Sequence, residues 1–253
     1  MQPELNSWLP AEAPPHIEPP PAREPFWDYV DLIWLIGILV AAVVILGLFG
    51  AGAFAISPRL KDDPGILLLS LQFALYGAIY LGFAFVFNVR HGKPVMKSLG
   101  WRASTFNLGL AVLIGPLLAF AIAGIAALLH TPKVPSPIEE FTKNPISLGL
   151  VALMAITIAP LFEELVFRGF LQPLLCRSFG VIAGIAVTSL IFGSLHGFEY
   201  QWAWQYVFAV SLVGVAFGFV RARTNSIIPS TIMHGCYNAV FVVALVASKY
   251  GKA

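Results

Sequence analysis

Charge is what this sequence has least of. Only 11% of its 253 residues are Asp, Glu, Lys or Arg, whereas 58% are hydrophobic and the mean hydropathy is +0.82. A soluble domain has about a quarter of its residues charged, so this chain has too few to cover a surface in water. Its solvent is a bilayer. The net charge of +2, from 15 basic and 13 acidic residues with no polybasic stretch, excludes nucleic acid as a natural partner. Cysteine is nearly absent. Cys176 and Cys236 both lie in apolar runs, which excludes a disulfide framework and a thiolate zinc knuckle and leaves them as small core residues. Several motifs are also missing: no H-E-x-x-H zinc helix, no G-x-S-x-G nucleophile elbow and no intramembrane Gly-x-Gly-Asp. No internal repeat is visible, so the inverted-repeat signature of many secondary transporters is lacking as well.

What is present begins with a distinct first segment. Residues 1–28 hold prolines at 3, 10, 14, 15, 19, 20, 21 and 25 and acids at Glu4, Glu12, Glu18, Glu24 and Asp28. This composition predicts a disordered, extended, acidic tail ahead of a membrane domain over 29–253. Without a basic n-region or an A-x-A-like site, the tail does not read as a signal peptide. Seven apolar runs follow, near 30–56, 66–87, 106–129, 146–170, 181–197, 203–220 and 226–248. Each is long enough to cross ~30 Å of hydrocarbon at ~1.5 Å per residue. The breaks carry turn chemistry: Ser57-Pro58-Arg59 with Asp62-Asp63-Pro64-Gly65, Arg90-His91-Gly92-Lys93-Pro94, and the stretch from Thr131 to Pro145 with its four prolines. The expected fold is therefore an all-α polytopic membrane protein of about seven transmembrane helices. Alternating the spans puts Arg23, Arg90, Lys93, Lys97, Arg102, Arg177, Arg221 and Arg223 on the N-terminal side. Arg59, Lys61, Lys133, Lys143, Lys249 and Lys252 fall opposite, and eight against six favours a cytoplasmic N-terminus.

The informative residues are the polar ones inside these runs, because a charge at mid-bilayer costs at least ~2.5 kcal/mol on insertion scales. They fall in three clusters. In Glu163-Glu164-Leu165-Val166-Phe167-Arg168-Gly169, Glu164 and Arg168 stand at i and i+4 on one helix face and can neutralise each other. Glu163 is rotated about 100° from Glu164, free to point into a polar cavity as a general base. The second cluster is Phe192-Gly193-Ser194-Leu195-His196-Gly197. Glu163 and His196 are symmetric about a turn at Gly180, so a helical hairpin there brings both to one depth, each ~25 Å from the turn at ~1.5 Å per residue. Pro160 and Gly169 allow a kink or an off-register helix between them. The third cluster runs from Asn225-Ser226-Ile227-Ile228-Pro229-Ser230 to His234-Gly235-Cys236-Tyr237-Asn238. There His234 and Asn238 share a face as a donor pair suited to an oxyanion, or as a polar clasp between helices. Glu199, beside Tyr200, Trp202 and Trp204, reads as an interfacial, non-catalytic residue.

A carboxylate, two histidines and an asparagine in a membrane cavity can activate water and stabilise a tetrahedral intermediate, which is peptide hydrolysis. Glu163, His196 and His234 also form a possible zinc set, two histidines and a glutamate with an open fourth position. The metal-free base is the preferred reading, with no cofactor required. Glu-Glu-x-x-x-Arg at 163–168, Phe-x-x-x-His at 192–196 and His-x-x-x-Asn at 234–238 resemble, in order, the signature of the CPBP family of CAAX prenyl proteases and bacteriocin-processing or immunity (Abi) proteins. The resemblance spans about residues 155–240. It implies a helical intramembrane endopeptidase with a cavity open to one membrane face and to lipid. It also implies that Glu163 and His196 activate water, that His234 and Asn238 form the oxyanion hole, and that Glu164 and Arg168 support the site. The implied partners are the lipid bilayer and a membrane-associated peptide or protein, and the short loops point to a bacterial cytoplasmic membrane. Two competing readings use the same residues: a non-enzymatic scaffold or immunity protein, and a small transporter with a proton relay.

Overall fold

A computed structural model describes residues 25–62, 64–134 and 144–250. All regular structure among them is helical, and seven helices are long and apolar enough to span a bilayer. They are the first span Tyr29–Ile56, the second Gly65–Arg90, the third Leu108–Leu128, the fourth Pro145–Phe179, the fifth Val181–Tyr200, the sixth Trp204–Thr224 and the seventh Ile228–Tyr250. Short helices Pro58–Asp62 and Val95–Ser98 occupy two of the connections. The protein is thus an all-α integral membrane protein. Its outer surface agrees: Ile33, Leu48 and Phe49 on the first span and Phe120 on the third are among many large apolar side chains left exposed, as lipid-facing residues are.

Local chemistry sets the span ends. Asp28 caps the first span by accepting from the backbone of Val30 and Asp31, and Asp31 returns the bond to the Asp28 backbone, a reciprocal capping box. Gly180, at φ 83°, turns the fourth span directly into the fifth, where any side chain would strain the backbone. This is the expected hairpin. The fourth span differs from the sequence reading by running past 170 to Phe179. Gln172, Pro173 and Arg177 lower the hydropathy there, yet Gln172, Leu174 and Leu175 are buried against protein rather than lipid.

The tail expected over residues 1–28 ends in four residues, 25–28, that the structure describes. Residues 1–24 lie outside the described residues, but Trp27 is only 4% exposed and its Nε1–H donates to the Phe170 carbonyl at 3.1 Å. Its ring stacks on Phe170 at 5.7 Å, and residues 25–28 belong to the folded body. The apolar run counted from residue 30 misses this because an aromatic pair, Phe26-Trp27, gives no helical period.

Two apolar clusters flank the middle of the bundle. One gathers Trp27, just ahead of the first span, with Leu35, Phe83, Phe87, Leu165 and Phe170 of the first, second and fourth spans. The other gathers Ala111, Ala209, Val213, Phe217 and Met233 from the third, sixth and seventh. Fifth packs on sixth, seventh on third, and the seventh also lies along the fourth.

Candidate active site

The fourth span is irregular on both sides of its carboxylates. Pro160 has no N–H to offer the Ile156 carbonyl, and the helix breaks at Thr157, with φ −121° and ψ −68°. After Glu164 the chain forms a π-helical segment, Leu165–Leu171. Such segments are tolerated inside a membrane only where neighbours satisfy the freed backbone groups. Here Arg221 Nε donates to the Arg168 carbonyl at 3.1 Å and Trp27 to that of Phe170. Across the proline break, Asn238 Nδ2 donates to the Ala155 carbonyl at 2.9 Å. Gly235 lies against the Ile156 carbonyl, where a Cβ would collide. The seventh span thereby clamps the broken helix just before Glu163.

The Glu164–Arg168 pair is as the spacing predicts. Both side chains are fully buried, Arg168 Nη1 lies 3.0 Å from Glu164 Oε1, and Arg168 Nη2 donates to the Gly214 carbonyl at 3.1 Å. The guanidinium carbon sits 4.5 Å from the Phe192 ring centroid and 5.3 Å from that of Phe217, so aromatic faces supply the remaining solvation of the cation.

His234 lies beside both carboxylates. Its Nδ1 is 3.3 Å from Glu164 Oε1 and its Nε2 is 3.6 Å from Glu163 Oε2, with the ring only 4% exposed. The ring packs on Phe217, with centroids 4.6 Å apart. His234 and Asn238, expected from the sequence as a donor pair on one face, turn to different partners, the imidazole to the two carboxylates and the amide to the Ala155 carbonyl. Shared helical face fixes only rough direction, and the two carboxylates of the fourth span draw the imidazole to themselves. His196 is held differently: its Nδ1–H donates to the Phe192 carbonyl at 2.8 Å, which leaves Nε2 as the basic nitrogen of the neutral ring.

A cavity of about 790 Å³ collects residues from all seven spans. Its walls are mainly apolar, and Glu163, His196 and Asn238 line it together, at the common depth that the Gly180 hairpin requires. His234, Glu164 and Arg168 lie behind this lining. Glu163 Oε2 is buried and has no hydrogen-bond partner among the described residues, with His234 Nε2 3.6 Å away. Among the described residues no three His, Cys, Asp or Glu side chains converge as a metal site. Glu163, His196 and His234 are not gathered into the three-ligand zinc set that their identities allow.

Further polar residues line the cavity, among them three that the sequence does not single out for it, Gln72, Tyr76 and Glu199. Tyr76 of the second span stacks on Phe162 at 4.7 Å, and Gln72 sits one turn before it. A Gln and a Tyr at i and i+4 in an apolar run were the available signal. Glu199 is exposed, as an interfacial residue should be, yet it shares the cavity with Glu163 and His196 and lies within electrostatic reach of both. Its position three residues after His196, on the same helical face, was the signal there.

Residues 145–240, which contain all three clusters, match the family model for type II CAAX prenyl endopeptidases described as Rce1-like. No curated protein and no solved structure matches the chain. That match covers the region that builds the cavity and supports membership of the CPBP family of CAAX-type intramembrane proteases.

Proposed function

We propose that this protein hydrolyses a peptide bond in a membrane-associated peptide or protein, using water activated at Glu163. The observation that carries this reading is the Glu163 side chain, which lines the cavity while its buried Oε2 accepts no hydrogen bond from the described residues. A water held between Glu163 and His196 Nε2 gives its proton to Glu163 as its oxygen bonds to the scissile carbonyl carbon. The carbonyl electron pair moves onto oxygen. Asn238 uses one amide hydrogen on Ala155 and has a second for that oxyanion, the kind of aimed donor that is often worth several kcal/mol in a water-poor site. Glu163 then passes its proton to the amide nitrogen as the C–N bond breaks, releasing an amine and a carboxylic acid and regenerating the carboxylate.

His234 is a positioning residue in this scheme, because it bridges Glu163 to the buried Glu164–Arg168 pair from behind the lining. Apolar walls drawn from every span suit a substrate that arrives from lipid. The excess of basic residues on the N-terminal side favours a cytoplasmic N-terminus, in a bacterial cytoplasmic membrane.

One observation favours a scaffold instead: Glu164, Arg168, His234 and Asn238 all hold helices together. Glu163→Gln separates the two. In lipid-reconstituted protein, loss of the base lowers cleavage of a cell-envelope peptide library by about 10²–10⁴. Thermal stability stays at the wild-type value, and cleavage by wild type survives a strong chelator. A Glu163→Gln protein that cleaves normally, or that loses stability in step with cleavage, refutes the base assignment.

A further inference from the structure

At the opposite end of the bundle from the cavity at Glu163, on the side where the first span begins, a second cavity of about 810 Å³ opens where the second, fourth and sixth spans end. Its lining includes five cations, Lys93, Lys97, Arg102, Arg177 and Arg221, and no carboxylate among the described residues. Three of them are oriented by the fold itself. Arg177 Nη1 donates to the Pro25 carbonyl at 2.6 Å, Arg102 Nε to the Asn225 carbonyl at 2.7 Å and Arg221 Nη1 to Asn225 Oδ1 at 2.8 Å. The acceptors of Arg102 and Arg177 are neutral carbonyls, so these two cations are held in place without a carboxylate among the described residues.

The two described carboxylates on this side are already engaged, Asp28 as the cap of the first span and Asp31 with Arg90 and His91 at 2.9 and 2.8 Å. Lys93 and Lys97 are exposed, on either side of the Val95 turn, and Phe26, Trp27 and Pro173 give the cavity an apolar floor. A concave, partly apolar basin of one charge sign concentrates counter-ions. Basic pockets between spans at the bilayer surface are the places where anionic headgroups are held.

We infer that this pocket binds the phosphate of an anionic phospholipid, with the headgroup on Lys93, Lys97, Arg102 and Arg177 and the acyl chains running down the adjoining spans. The shared chemistry is phosphate, and the lipid is favoured as its source because the pocket lies where spans end and an apolar floor leads into it. This site is independent of the hydrolytic reading.

The test uses the full chain in phosphatidylcholine nanodiscs, where both faces are accessible, with phosphatidylglycerol titrated in and lipid retention read by native mass spectrometry. Wild type retains phosphatidylglycerol over phosphatidylcholine. Lys93→Gln/Lys97→Gln weakens retention about 30-fold, the expected effect of removing two cations at an anionic surface. Lys133→Gln/Lys249→Gln, with the same change in net charge on the opposite side, retains it as wild type does. Equal retention of the two lipids, or equal loss in both double variants, overturns the site. Binding of inorganic phosphate with no preference for phosphatidylglycerol overturns the lipid as its source. Retention that appears only when Glu4, Glu12, Glu18 and Glu24 are replaced by Gln also overturns it, and makes the chain's own acidic segment the occupant.

Discussion

Replacing Arg168 by Met tests whether the charged centre of the bundle is a neutralised pair. Arg168 and Glu164 are both fully buried, 3.0 Å apart, with no water-facing atom to relieve either charge. Removing the cation strands the carboxylate, which costs about 3–5 kcal/mol in a buried pair. Loss of the ring contacts to Phe192 and Phe217 adds about 1–2 kcal/mol. The single variant is therefore destabilised by about 5 kcal/mol, between three and four decades in the folding equilibrium. Glu164→Gln alone strands the guanidinium and is costly for the same reason. The double variant leaves no charge, and its introduced amide oxygen can still accept from His234, so it recovers to within about 2 kcal/mol of wild type. Reversible unfolding in mixed micelles, read for all four proteins, gives a coupling energy of about 3 kcal/mol or more. A single variant costing less than about 1 kcal/mol, or a double variant no better than Arg168→Met, would show that the pair is not what holds this centre together.

Further predictions follow from the clamp on the fourth span and from its N-terminal anchor. Asn238→Ala leaves the Ala155 carbonyl without its donor and costs about 1–3 kcal/mol; cleavage falls in the same protein, and unchanged unfolding would remove the clamp from the account. Gly235→Ala drives a methyl group into the Ile156 carbonyl, destabilises by about 1–3 kcal/mol and displaces Glu163, to be read as a fall in kcat larger than any change in KM. Trp27→Phe keeps the stack on Phe170 and loses only the indole hydrogen bond, for about 1 kcal/mol in the same unfolding assay.

Some of this architecture follows from the sequence alone, and the reason is periodicity. Apolar runs of spanning length fix seven helices whatever their neighbours are, since a backbone in hydrocarbon has no other way to satisfy its polar groups. Spacing within one helix fixes faces, so Glu164 and Arg168 pair as their i and i+4 positions require. Distance from a turn fixes depth, so Glu163 and His196 come to one cavity across the Gly180 hairpin. Tertiary structure decided which faces meet. His234 and Asn238 share a face, yet the neighbouring fourth span gives the imidazole two carboxylates and gives the amide a carbonyl freed by the helix break. Tyr76 and Glu199 reach the cavity only because the second and fifth spans lie beside the fourth. Periodicity along a helix carries no information about its partner, and that choice rests on close approaches such as Gly235 against Ile156, which exist only once the helices are packed.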